Sequence, residues 1–113
     1  ELLDLIAEVN SVHMEDSIYE YITLLTEATR KHPMVSMGVS PRGALALSRL
    51  SRAKAYLSGR SYCIPEDVAE VAPSVFGHRL ILNSKARFHE TGADDIAAEI
   101  VSQVRMPVLK ELK

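Results

Sequence analysis

Residues 38–59 read GVSPRGALALSRLSRAKAYLSG, and this stretch predicts the central helix of the fold. Ser40 is a suitable N-cap, because its hydroxyl can accept a backbone N–H that has no partner inside the helix. Pro41 suits the first helical position, where its missing N–H removes no intrahelical hydrogen bond. The helix is expected to run to about Leu57, and Gly59 ends it.

Two sets of side chains divide the surface of this predicted helix. The apolar set is expected to face the core: Ala46, Leu50, Ala53 and Leu57. The other set is small enough to let neighbouring helices approach closely: Gly43, Ala44, Ser48, Ser51 and Ala55. Both features favour a central position in a helical bundle.

Helical periodicity predicts two more helices upstream. The first covers one or two turns between Leu2 and Val9, where apolar residues are frequent. The second begins with a capping box, in which the Ser17 hydroxyl and the Glu20 carboxylate each accept an otherwise unpaired backbone N–H. It ends before Pro33, which begins a loop lasting to the N-cap of the central helix. Its apolar face repeats at three- and four-residue spacing: Ile18, Tyr21, Ile22, Leu25 and Ala28.

Downstream, residues 64–67 (IPED) predict the start of another helix, with a proline in its first turn and acids at the positive end of its dipole. Pro73 is expected to break or kink this helix, because a proline inside a helix removes a hydrogen bond. Residues 74–82 then predict a further helical segment. The side chains expected to be buried along both segments are Val68, Val71, Ala72, Val75, Phe76 and Leu80.

The last part of the chain predicts one more helix. Residues 83–90 are polar and are expected to form a connector. Thr91 with Asp94 resembles a helix cap, and Pro107 ends the helix. Its inward-facing residues are Ile96, Ile100 and Val101. Together these patterns predict an all-α bundle of four to six helices in one domain over residues 1–113.

Composition narrows the class of protein. The 113 residues have room for one domain, and 47% hydrophobic with 25% charged residues is an ordinary globular balance. Thirteen basic against fifteen acidic residues give a net charge of −2, which predicts no nucleic-acid partner, and no apolar run is long enough to predict a membrane span. A single cysteine, Cys63, and no secretory signal predict a cytoplasmic protein. Because the chain starts at Glu1, we expect it to be a fragment of a longer protein.

Familiar catalytic motifs are missing from the sequence. There is no glycine-rich phosphate loop, and the histidines at 13, 32, 78 and 89 are scattered without metal-ligand spacing. Cys63 precedes an apolar residue and is expected to be a small buried side chain. The acidic pairs at 66–67 and 94–95 lie at predicted helix starts, where capping and the helix dipole explain them.

Arg42 conflicts with its surroundings. It falls in the first turn of the central helix, where a cation meets the positive end of the dipole and loses stability. Free N–H groups at such an end, with a cation beside them, can form an anion site, and a planar guanidinium can bind two phosphate oxygens. On spacing alone, a solvated Arg42 or one paired with an acid is the more common situation.

Six motifs occur in order over nearly the whole chain: ATRKHP at 28–33, GVSPRGALAL at 38–47, RSY at 60–62, PEDV at 65–68, HRL at 78–80, and a tail from Gly92 to Pro107. This series resembles the C-terminal lid domain of MoxR-type AAA+ ATPases. Gly43 stands where alanine is more usual in that family, a departure that leaves the assignment of Arg42 intact.

The resemblance implies that an α/β nucleotide-binding core with Walker motifs lies upstream. It implies that ATP and Mg²⁺ bind the full-length protein, that Ser40, Pro41 and Arg42 contact the nucleotide, and that Arg42 acts as sensor 2 on the terminal phosphate. The chain alone is expected to be inactive as an ATPase. Family members are thought to be chaperone-like ATPases that remodel or assemble protein complexes, usually as hexamer-type rings of neighbouring subunits and often beside von Willebrand A domain proteins.

Other cations have two interpretations each. Arg30, with Lys31 and His32, either adds positive potential near the phosphate or caps the end of its helix, and capping is the expectation. His78 with Arg79 either tethers the adjoining segment or touches the core domain. Arg49 and Arg52 follow Arg42 along one side of the central helix, either as a solvated face or as a contact with a neighbouring subunit. For the chain as a whole, the alternatives to a lid are a free-standing helical adaptor and a helix-turn-helix-like DNA-binding module.

Overall fold

The computed structural model describes residues 2–107, and over this range it contains six helices and two short strands. The elements in chain order are α1 (Leu2–Asn10), α2 (Asp16–Lys31), β1 (Val35–Met37), α3 (Pro41–Leu57), α4 (Pro65–Gly77), β2 (Ile81–Leu82), α5 (Ser84–Phe88) and α6 (Ala93–Gln103). The predicted helical bundle is confirmed, with a small antiparallel sheet added to it. Residue 1 and residues 108–113 of the predicted domain lie outside the described range.

Helices α3 and α4 form the centre of the bundle. α4 packs against both α3 and α6, α2 packs against α3 and α6, and α1 packs against α3. The largest fully buried side chains come from four helices, α2, α3, α4 and α6, and from the loop before α3: Ile18, Tyr21, Leu25, Val39, Leu47, Val68, Phe76 and Ile96. No helix within residues 2–107 has the length and apolar character needed to cross a bilayer.

The prediction for the buried face of α3 is wrong. Leu50 is 49% exposed and Leu57 is 82% exposed. The buried residues are mainly the small ones: Gly43, Leu47, Ser48, Ser51 and Ala55. They recur at about four-residue spacing and lie on one face, which lets neighbouring helices approach the α3 backbone closely.

Two predicted helix starts are also wrong. α2 begins two residues earlier than a Ser17 cap requires, with Glu15 as N-cap, and the Ser17 hydroxyl is buried without a partner among the described residues. α6 is capped by Gly92, whose N–H donates to the Asp95 carboxylate at 3.2 Å, so Thr91 and Asp94 form no capping pair. The helix ends at Gln103, before Pro107 is reached.

The segment after Pro73 also differs from prediction. α4 continues through Pro73 to Gly77, because buried Val68 and Ala72 before the proline, and Val75 and Phe76 after it, anchor both halves in the core. The rest of the predicted segment turns into β2, in which Leu82 pairs with Val35 of β1. The predicted polar connector contains α5, which is capped by the side chain of Asn83.

Candidate functional site

The N-terminus of α3 is built as its sequence predicts. Ser40 has extended backbone angles, its Oγ accepts the Gly43 N–H at 3.4 Å, and its carbonyl accepts the Ala44 N–H at 3.1 Å. Pro41 has no N–H. The Arg42 N–H donates to no residue in the described range, so one backbone donor is left at the positive end of the helix.

The Arg42 side chain is exposed at this helix end. Its guanidinium forms no ion pair with a carboxylate between residues 2 and 107. The pairing that is common for a surface arginine is therefore not found here. A free cation beside an unused N–H is a suitable environment for an anion.

α2 holds the loop that leads into α3. The Val39 N–H donates to Thr29 Oγ1 at 3.0 Å, and the Val39 carbonyl accepts from Arg30 Nη2 at 3.1 Å. Gly38 lies against the α2 backbone, where an added Cβ would be 2.8 Å from the Arg30 Cα. The predicted role of Arg30 as a helix cap is therefore replaced by a bond to the loop, which positions Ser40 and Pro41.

Arg79 reaches the same helix end from the connection between α4 and β2. Its side chain covers Gly43, with Cδ 2.9 Å and Nε 3.2 Å from the position that a Cβ on Gly43 would take. Its backbone N–H donates to the Phe76 carbonyl at 2.9 Å, which keeps the turn after α4 tight. From the sequence, Arg79 could either tether the segment next to it or touch the core domain. The structure shows that it packs on the first turn of α3. His78 is the C-cap of α4 and is exposed.

Arg49 and Arg52, which follow Arg42 along α3, lie in different environments. Arg52 is partly buried and donates to the Val12 carbonyl at 3.1 Å, to Ser48 Oγ at 3.1 Å and to the Tyr19 hydroxyl. It therefore joins α3 to the connection between α1 and α2. Arg49 is exposed and lines an open groove between α1 and α3.

Arg60 and Asp67 form an ion pair that was not predicted, and its role is structural. Arg60 donates to both carboxylate oxygens of Asp67, at 2.7 and 2.8 Å, and Asp67 also accepts the Ile64 N–H at 2.9 Å. Cys63 beside it is buried, and burial raises the pKa of its thiol to about 12, which favours the protonated thiol at neutral pH. No cluster of potential metal ligands occurs in the part of the chain that the structure describes.

The family model described as the AAA lid domain matches residues 27–109. The chain belongs to this family. A solved structure of a "putative ATPase" from Cytophaga hutchinsonii superposes with a TM-score of 0.84 and 32% identity, over 90% of this chain and 34% of that one. The lid fold predicted from the sequence motifs is confirmed.

Named relatives show that the lid is of the MoxR type. It is 37% identical to Chaperone MoxR1 of Mycobacterium tuberculosis over 105 residues, covering 85% of this chain and 26% of that protein. It is 45% identical to the uncharacterized protein YeaC of Bacillus subtilis over 101 residues, covering 89% of this chain and 32% of that protein. The lid thus spans about a third or less of the length of these relatives. The family match leaves nothing to favour a free-standing adaptor or a DNA-binding module.

Proposed function

We propose that this lid closes over ATP bound to a separate α/β core and that Arg42 contacts the terminal phosphate as sensor 2. The observation that supports the proposal is the exposed Arg42 guanidinium at the N-terminus of α3, which pairs with no carboxylate of residues 2–107 and lies beside a backbone N–H that has no acceptor in the same range. The residues present suit a phosphate group, since they offer donors and positive charge. Ser40 caps the helix and Pro41 starts it, so both hold Arg42 in place.

The proposed mechanism is electrostatic. ATP with Mg²⁺, held by the core, supplies the phosphoryl group that is transferred to water. Arg42 binds up to two oxygens of the terminal phosphate through its planar guanidinium and stabilises the charge that is spread over them. When that phosphate is lost, Arg42 loses its partner and the lid is free to rotate, which converts a local charge change into a domain movement.

The wider role rests on the relatives and on the family resemblance. One relative is named a chaperone, and we extend to the full-length protein a chaperone-like function in remodelling or assembling protein complexes. We further propose hexamer-type rings in which the lid contacts its own core and a neighbouring subunit. Von Willebrand A domain proteins are the proposed partners, and the cytoplasm is the proposed location.

Substitution of Arg42 in the full-length protein tests the proposal. Arg42→Ala is expected to lower ATP hydrolysis about 100-fold, because it removes a charged donor from a site that excludes water. The hydrolysis rate of Arg42→Lys should fall between those of the wild type and Arg42→Ala, since lysine keeps the charge and loses the planar fork. Arg105→Ala removes one charge from another exposed position and should leave the rate unchanged. An Arg42→Ala rate equal to that of Arg105→Ala would remove Arg42 from the mechanism.

The chain by itself provides a second test. Without a phosphate-binding loop, the 113-residue chain is expected to show no ATP turnover. A purified sample with measurable hydrolysis, unchanged by repeated purification, would contradict the proposal that the catalytic machinery lies in a separate core.

A further inference from the structure

α1 is an apolar helix that buries none of its side chains among the described residues. Leu2, Leu5 and Ile6 are each between 44% and 69% exposed. A helix of nine residues is marginal in water by itself, and helices in proteins are held mainly by the packing of an apolar face. The apolar side of α1 therefore lacks the cover that normally stabilises such a helix.

The C-terminal half of α1 is nevertheless fixed in place beside α3. The Tyr56 hydroxyl of α3 donates to the Glu8 carboxylate of α1. Val12, which follows α1, is buried, and its carbonyl accepts from Arg52 Nε at 3.1 Å. The two helices are thus held at a set separation, and the groove between them is formed before any partner binds, which lowers the cost of binding.

This groove has a volume of about 750 Å³ and is lined by apolar side chains and two arginines. From α3 it receives Leu45, Arg49 and Arg52, which lie on one side of that helix at four- and three-residue spacing. Leu45 is nearly half exposed. From α1 the groove receives the apolar side chains Leu5, Ile6 and Val9.

The charges in the groove are all of one sign. Arg49 is exposed and forms no ion pair with a carboxylate between residues 2 and 107. Arg52 donates only to uncharged oxygens, those of a backbone carbonyl and of serine and tyrosine hydroxyls. No acidic side chain in the described range lines the groove. The complementary surface is therefore one that carries apolar side chains together with a carboxylate.

A helix of another protein fits this surface better than a lipid bilayer does. Helices that lie on anionic membranes are rich in lysine and arginine, whereas α1 contains Asp4 and Glu8 and no basic residue. The apolar side chains line a concave groove between two helices. Such grooves bind the apolar face of an amphipathic helix, whose side chains enter at three- and four-residue spacing.

We propose that the groove between α1 and α3 binds an amphipathic helix of a partner protein, which packs apolar side chains on Leu5, Ile6 and Leu45 and pairs a carboxylate with Arg49. The inference goes beyond the proposed function, since neither Arg42 nor the nucleotide takes part in it. Arg49, which the sequence left as either a solvated or a contact residue, becomes a contact residue.

Two synthetic peptides of about 16 residues test the groove, a length at which an amphipathic helix can form. One has leucines at i, i+3, i+4 and i+7 with glutamates beside them, and the other has lysine in place of each glutamate. Each is titrated into the 113-residue chain at low salt, while the methyl groups of Leu5, Ile6 and Leu45 are followed by NMR. The glutamate peptide should shift all three signals and slow hydrogen exchange of the α1 amides. The lysine peptide should bind at least about tenfold more weakly.

Variants of the chain separate the charge from the apolar contact. Arg49→Glu should reverse the preference, so that the lysine peptide binds more tightly. Arg105→Glu makes the same charge change at an exposed position outside the groove and should keep the preference of the wild type. Ile6→Ser should weaken both peptides about fivefold, because it removes part of the apolar surface. Ile6 and Arg49 are both exposed, so these variants leave the core intact.

Several results would overturn the proposal. Equal binding of the two peptides, or the same preference in Arg49→Glu as in the wild type, would refute the carboxylate contact. Shifts outside the groove, or no binding of the glutamate peptide, would refute the site. Self-association in analytical ultracentrifugation that Arg49→Glu abolishes would identify a second copy as the occupant instead. Binding to vesicles of phosphatidylserine and phosphatidylcholine, with none to the glutamate peptide, would identify a membrane. The hydrolysis rate of Arg42→Ala bears on none of these results, so this proposal and the proposed function can fail separately.

Discussion

Removal of the Asp67 carboxylate should destabilise the lid more than removal of any exposed acid. Asp67 is 1% exposed and lies in the first turn of α4. Its oxygens accept two hydrogen bonds from Arg60, at 2.7 and 2.8 Å, and one from the Ile64 N–H at 2.9 Å. The carboxylate therefore caps α4 and ties it to the turn that follows α3.

The size of the effect follows from the burial of the two partners. Breaking a fully buried ion pair costs about 3–5 kcal/mol, since it leaves an unpaired charge in the interior. The Arg60 side chain is 23% exposed, so water can reach the group that Asp67→Ala leaves behind. We therefore expect a loss of about 3 kcal/mol, at the lower end of that range. For a domain of this size the melting temperature should fall by about 12 °C.

Urea unfolding of the 113-residue chain, followed by circular dichroism, measures this loss. Glu66→Ala is the matched control, because Glu66 is the neighbouring acid in the same helical turn and is exposed. It should cost less than about 1 kcal/mol, the value of an exposed dipole interaction. The double variant Arg60→Ala/Asp67→Ala should cost less than the sum of the single variants. The coupling between Arg60 and Asp67 would be refuted by equal losses for Asp67→Ala and Glu66→Ala. It would also be refuted if the loss in the Arg60→Ala/Asp67→Ala variant equalled the sum of the losses in the two single variants.

The same pair makes stability depend on pH in a defined direction. Burial alone would raise the pKa of Asp67, but the hydrogen bond from Arg60, the bond from the Ile64 N–H and the charge of Arg60 together hold that pKa below its ordinary value of 3.8. The folded state thus favours the ionised form. Its contribution is fully present above about pH 4 and decreases as the pH falls towards the lowered pKa. The difference in unfolding free energy between the wild type and Asp67→Asn should shrink below pH 4.

Two further predictions concern close packing and thiol reactivity. Gly38→Ala should cost about 2 kcal/mol in urea unfolding, because its Cβ would lie 2.8 Å from the backbone N and Cα of Arg30, which cannot move aside. Gly92→Ala is the control, since its Cβ would meet only Asp95 Oδ2 at 3.7 Å, and equal losses for the two variants would contradict the packing argument. Cys63, whose thiol pKa is raised to about 12 by burial and then by the Asp67 charge, should resist alkylation by iodoacetamide at pH 8 in the folded chain and react at least about tenfold faster in urea. Rapid labelling without urea would show that the thiol is accessible.

Much of the secondary structure and the position of Arg42 could be predicted from the sequence. The start of α3 depends on Ser40 and Pro41, whose effects act within one helical turn. Periodic apolar residues identified α2, and the acids of α4 lie at its predicted start. Such signals are readable because their causes lie within a few neighbouring residues.

The remaining features depend on contacts between distant parts of the chain. The sequence predicted Leu50 and Leu57 in the core, and only the packing of the neighbouring helices shows that the small side of α3 is buried. Gly43 was noticed as a departure from the family, but the sequence gives no sign that the Arg79 side chain, thirty-six positions further on, packs over it.

The sequence by itself therefore determined most of the longer helices, the family and the arginine at the helix end, because capping, periodicity and motif order are local properties. Tertiary structure alone decided which helix face is buried, that α4 continues through Pro73, and that Arg79 packs against Gly43 in the first turn of α3. These outcomes follow from which surfaces fit together without overlap, and that condition involves residues that no local pattern connects.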